Sequence, residues 1–231
     1  MKRVGVHGAG FIPITQMAPC PAGAVAGDWW DPNNDGLCVW AAYQPKGAAN
    51  LAASYVDLSG NGNNTGPGVA PTWDAVNGWK FDGATQYLVT TFVPALDQSQ
   101  SAIVQYTTVT AGDCSLCQCR GGVGNRNFGL QPWRIAGGAV GYGNGLVSPG
   151  VPQLLAGNLA VAGDKGYRNG ALDFNGILAW SDTAPAMWIG ARNNVGVADF
   201  FLPGYIQALA IYDCTLTGPQ VAAVAAAMAA L

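Results

Sequence analysis

The sequence predicts an all-β fold on three observations. The chain of 231 residues holds 33 Gly and 14 Pro. They follow no three-residue period, which excludes collagen and suits many tight turns between short strands. The 8 Trp, 8 Tyr and 7 Phe exclude a disordered chain. Apolar and polar residues alternate in short runs, as over 204–212, where a sheet strand with one buried face is expected.

Residues 1–33 read as an arm or irregular lead-in, with Pro13, Pro19, Pro21 and Pro32 and little alternation. Arg3-Val4-Gly5-Val6-His7-Gly8-Ala9-Gly10 has the outline of a strand and a dinucleotide glycine loop. The third glycine is absent and Pro13 stands where a helix should run, so a tail is the better reading. One domain is expected over 34–231, without a dividing linker. Its first strand is Leu37-Cys38-Val39-Trp40-Ala41-Ala42-Tyr43. Asp57 to Asn64 is a turn built from residues that cap their own backbone. Trp79–Gly83 and Gln86–Thr90 alternate around a Gly-bearing turn, and Ser101–Val109 is a central strand.

The stretch 112–150 is rich in Gly and Asn, with short strands expected at Phe128–Leu130 and Trp133–Ile135. Pro149–Ala162 is apolar and ambiguous. Asp164–Leu172 is a hairpin around Asn169-Gly170, and Met187–Ala191 is another short strand. Thr217-Gly218-Pro219-Gln220 opens a helix, with a cap at Thr217 and Gln220 three residues on. The Ala-rich, apolar segment that follows must lie against the sandwich or a partner.

Composition narrows the function. All 13 acidic residues are Asp, and His7 is the single His. Groups that exchange protons near neutral pH are therefore scarce. Charged residues make up 10% of the chain and the net charge is -3, which gives no electrostatic reason for nucleic-acid binding. No apolar run has the length of a membrane span, and the start lacks the long apolar stretch of a secretory signal. Six Cys stand at 20, 38, 114, 117, 119 and 214. The residues alone leave disulfides, buried thiols and a metal site all open.

The order and spacing of several fragments over about 34–225 resemble the laminin-G-like group of concanavalin A-like domains. They are Gly36–Trp40, Asp57–Asn64 and Gly78–Gly83 with Tyr87-Leu88. Further along come Tyr167–Gly170, Trp188–Arg192 and Gly204–Asp213. The resemblance implies a jelly-roll sandwich of two antiparallel sheets with a short C-terminal helix. It makes the first and last core strands neighbours and so implies a Cys38–Cys214 disulfide. Relatives often hold a structural calcium. No cofactor is required here, but Asp57, Asn61, Asn63 and Asp213 are the donors a calcium site would use. The alternative for the Asp57–Asn64 stretch is a set of side-chain-capped turns.

A sugar would need an exposed aromatic platform. Trp73, Trp133 and Trp180 are the candidates, with Trp29 and Trp30 beside them. Glycosidases of this sandwich type use paired Glu, and no Glu exists here. The resulting expectation is a non-catalytic structural or surface-display protein of a virus (phage) particle, sited on the virion or outside the cell. Its partners would be other virion proteins or copies of itself, with glycans as an additional ligand. The alternative is a freestanding secreted carbohydrate-binding, lectin-like module; more remote is a glycoside hydrolase that uses Asp carboxylates.

Overall fold

Strands and turns follow the alternation closely enough that the sandwich can be built from the sequence upward. The structure, a computed structural model, describes residues 28–95, 97–110, 112–122, 127–134, 139–143, 146–147, 153–177 and 185–231. In chain order the elements begin with β1 (Val39–Tyr43), α1 (Leu51–Ser54), β2 (Gly66–Val69), β3 (Thr72–Asp74), β4 (Gly78–Asp82), β5 (Tyr87–Val89) and β6 (Ser101–Thr107). Then come β7 (Cys117–Arg120), β8 (Asn127–Arg134), β9 (Ala139–Tyr142), β10 (Leu146–Val147), β11 (Gly157–Ala162), β12 (Lys165–Arg168) and β13 (Ala171–Asn175). The last are β14 (Trp188–Ile189), β15 (Arg192–Asn194), β16 (Val197–Asp199), β17 (Pro203–Tyr212) and α2 (Gly218–Ala229).

Among the described residues one sheet has eight strands in the order β13-β12-β11-β6-β17-β4-β3, with β1 also on β17. The other has nine among them, in the order β10-β9-β8-β7-β14-β5-β2, with β15 and β16 joined beside β7. Pairing is antiparallel except for β15, which runs parallel to β7. The first and last core strands are neighbours as expected: Ala42 pairs with Ala210 and Tyr43 with Leu209. The fold is therefore the expected all-β sandwich, closed by a C-terminal helix.

The main core lies between the sheets. Tyr43, Trp79, Phe81, Val104, Tyr106, Leu209 and Ile211 from one sheet meet Leu88, Cys117, Cys119, Phe128, Leu130, Tyr142 and Ile189 from the other. Alternation decides which side chains enter: Phe81, between outward Lys80 and Asp82, is buried and both neighbours are exposed. A second layer covers the outside of the eight-stranded sheet. There α2 lays Val221, Val224, Ala225 and Met228 against Ala160, Ala162, Ala208, Ala210 and Tyr167. Small side chains on the sheet let the helix approach. Its first turn is held by Gln220 Oε1, which accepts from Thr217 N (2.8 Å) and Thr217 Oγ1 (2.9 Å).

Residues 28–37 also belong to this layer. Trp29 is buried, its ring meets Trp30 edge-on, and Tyr212 Oη donates to Trp30 O (2.9 Å). The Asp31 carboxylate takes the backbone N–H groups of Asp35, Gly36 and Leu37. The rest of the expected lead-in, 1–27, lies outside the described residues.

Two elements differ from expectation. The two short strands read at 128–130 and 133–135 are one strand, β8. Pro132 is tolerated inside it because the ladder to β9 shifts register between Gln131 and Arg134. The short helix α1 was not anticipated; Asn50 caps it by accepting from Ala53 N (2.9 Å). The expected hairpin at Asn169-Gly170 forms with φ of 49° and 77°, a primed turn matched to the strand twist.

Candidate functional site

The outer face of the nine-stranded sheet follows from alternation. Cys117, Cys119, Leu88 and Ile189 all enter the core. Their neighbours Gln118, Arg120, Tyr87, Val89 and Trp188 must therefore point the other way. In register, Trp188 pairs with Val89 on one side and Gln118 on the other.

Tyr87 and Trp188 are partly exposed and stack, with ring centroids 4.5 Å apart and planes 24° from parallel. Phe201 stands 6.5 Å from Tyr87. The Tyr87 ring lies flat on β2, where a Cβ at Gly68 would come within 2.1 Å of it. A side chain at 68 would lift the ring, so glycine there fixes the height of the platform.

Beside the platform is a fixed charged group. Arg192 Nε and Nη2 donate to Asp199 Oδ1 (2.7 Å) and Oδ2 (2.6 Å). The Phe200 ring covers the guanidinium at 3.8 Å. Asn194 Nδ2 adds a bond to Asp199 Oδ2 (3.2 Å). The hairpin between β15 and β16 turns at Val195 and Gly196 and leaves Val195 and Val197 exposed. The result is an aromatic surface rimmed by amide and charged groups, the composition of a face that holds a flat, hydroxylated ligand.

The platform was legible in principle. Each of its two aromatics sits next to residues that alternation sends inward, Met187 and Ile189 around Trp188 and Leu88 after Tyr87. The tryptophans singled out from the sequence do not come together. Trp73 is on the eight-stranded sheet, packed against the main core, with Nε1 donating to Pro45 O (2.7 Å). Trp133 is on the nine-stranded sheet and also packs against the core. Trp180 lies outside the described residues.

The expected calcium donors make hydrogen bonds within the protein. Asp57 Oδ1 accepts from Ala42 N, Ser59 N and Ser59 Oγ, and Oδ2 from Asn63 N. Its lone pairs are thus spent on N–H and O–H donors. Asn61 and Asn63 turn their amide nitrogens to Val39 O and Trp40 O. The exposed Asp213 sits beyond β17, where its carboxyl is bonded by Gln100. Among the described residues no three His, Cys, Asp or Glu side chains are grouped to hold a metal.

The structure does not join Cys38 to Cys214, the pair the resemblance made a disulfide. Their chain segments do meet, with Asp213 N donating to Cys38 O (2.8 Å). Cys114, Cys117 and Cys119 are fully buried, and burial pushes the Cys114 and Cys119 thiols up to about 12.

A recess of about 290 Å³ lies between the end of β1 and α1, lined by Gln44, Lys46, Ala53, Ser54, Val56 and Leu58. It has no acidic lining residue. Its Ser54 hydroxyl already accepts from Trp79 Nε1 and donates to Leu51 O. The aromatic face is chemically the better site.

No protein-family model and no curated protein matches the chain. Solved structures do. Domain 4 of an extracellular GH43 arabinanase from Geobacillus stearothermophilus, in complex with arabinotriose, matches at a TM-score of 0.54 and 16% identity. The match covers 82% of this chain and 98% of that domain. Trypanosoma rangeli sialidase in complex with 2,3-difluorosialic acid matches at 0.54 and 17% identity over 93% of this chain. This chain spans only 35% of that sialidase chain.

At these identities the likeness shows the fold alone, a sandwich of two antiparallel sheets. A narrower laminin-G kinship is not shown. Two expectations are corrected. The reading as a non-catalytic structural protein of a virus particle is overturned, because the fold is shared with chains that are sugar-acting enzymes or their domains. The expectation that the chain is no enzyme, argued from the missing Glu, falls with it, since the same sandwich recurs in an arabinanase and a sialidase. No helix among the described residues is long and apolar enough to cross a membrane.

Proposed function

We propose that this protein is a carbohydrate-binding, lectin-like module that works outside the cell and grips its ligand on the outer face of the nine-stranded sheet. The observation that carries this reading is the partly exposed Tyr87–Trp188 stack, seated on Gly68 and bordered by Asn194 and the Arg192–Asp199 pair. A sugar ring has an apolar C–H face and a rim of hydroxyls. The first suits an indole surface and the second suits amide and carboxylate groups held in place. The platform is already assembled by stacking and the rim by bidentate pairing, so little order has to be gained on binding. The sandwich likeness to an arabinanase domain solved with arabinotriose supports a sugar as the ligand class.

Calorimetric titration against a panel of neutral and acidic oligosaccharides, arabinotriose included, tests this. Saturable binding is expected, weakened at least about tenfold by Trp188→Ala. Trp188→Phe, which keeps a ring on Tyr87, should retain part of it. Binding to no glycan, or binding indifferent to both variants in a protein with unchanged circular dichroism, overturns the reading.

A further inference from the structure

We infer that the sugar this face takes carries a carboxylate, and that Arg120 receives it. The inference rests on the sugar-binding reading above. Arg120 is on β7, two residues from Gln118, and alternation turns both to the outer side of the sheet; Gln118 is buried there and accepts from Ser115 Oγ, while Arg120 is partly exposed. Its register partners are Asn194 on β15 and Asn127 on β8. A diagonal neighbour across two strands lies about 7–8 Å away, so a ring stacked on Trp188 brings its substituents within reach of the Arg120 guanidinium.

The two arginines of this region have different tasks. Arg192 is 6% exposed, and its charge is taken by both oxygens of Asp199. It braces the hairpin and offers nothing to a ligand. Arg120 is partly exposed and makes no ion pair among the described residues. Asp199, the acid of this rim, is already committed to Arg192 and Asn194.

An unpaired guanidinium stands in line with the aromatic platform. A neutral sugar would leave the cation to water. A carboxylate meets a guanidinium through two parallel charge-assisted bonds. Uronates and sialates share this chemistry, and matched probes separate them.

The test is titration of the full chain with two pairs: a sialylated oligosaccharide against its desialylated form, and an oligouronate against its methyl ester. The acidic member of one pair should bind at least about tenfold more tightly than its neutral partner. Added salt should shrink that difference. Arg120→Gln should abolish it without changing affinity for the neutral member, while Arg192→Gln should lower thermal stability. The pair that shows the preference identifies the source of the carboxylate. Equal affinity within both pairs, or a preference that survives Arg120→Gln, overturns the inference and leaves sugar binding intact. Binding to no glycan overturns both.

Discussion

Asp57 ties three stretches of backbone together through one carboxylate. It holds the buried Ala42 N–H of β1, the Ser59 turn and Asn63, while its own N–H donates to Asn64 Oδ1 (2.8 Å). An Asp outcompetes other residues here because both its oxygens accept and its side chain is short enough to reach its own turn. Asp57→Ala would strand a fully buried N–H and loosen two others. We expect a loss of about 2–4 kcal/mol in urea denaturation, with a smaller loss for Asp57→Asn. The same measurement separates a stapled turn from a metal loop: calcium or a chelator should leave the wild-type midpoint where it is, and a calcium-dependent rise would contradict the hydrogen-bond assignment.

At the scale of elements, α2 shows how a helix with almost no polar side chains finds its place. Val221, Val224, Ala225 and Met228 are buried, and the alanines at 222, 226 and 229 face solvent. Helix propensity makes the segment helical, but only the stripe at a helical spacing says which side packs. Val224→Asp is expected to cost about 3 kcal/mol or more, since it buries an unpaired charge against Ala-lined sheet. Ala226→Asp should be within about 0.5 kcal/mol of wild type. Equal denaturation midpoints for the two variants would show that the helix is not docked.

Much of this level was legible in the residues. The strands at 79–83, 101–109 and 204–212, the Asn169-Gly170 turn and the helix start at Thr217 announce themselves by alternation, turn chemistry and capping. Other features depended on contacts far away in sequence. β8 runs through Pro132 because β9 shifts register opposite it, and no local signal reports that shift. The aromatic site was missed for a related reason. Choosing Trp73 and Trp133 weighed residue type, whereas Tyr87 and Trp188 become a platform only when β5 and β14 are adjacent, about a hundred residues apart in the chain.

For the molecule as a whole, the core carries its own reporter of opening. Cys114, Cys117 and Cys119 are 0% exposed, and burial raises all three thiols above their ordinary range. They lack both access and thiolate character. Alkylation followed by site-resolved mass spectrometry should label Cys214, which is partly exposed, well before these three in native buffer. Denaturant should then bring the three up together, along the unfolding curve. Fast labelling of Cys117 in native conditions would mean that the sheets part without global unfolding. The strand order carries one more consequence, for synthesis. β17 sits between β6 and β4 in the eight-stranded sheet, yet residues 108–202 must leave the ribosome after β6 before it emerges. At ~5–20 residues per second that is roughly 5–20 s. Throughout that interval the nascent chain shows the cell two unsatisfied sheet edges, so the strand that closes the sheet also sets how long the newborn protein needs shelter from its neighbours.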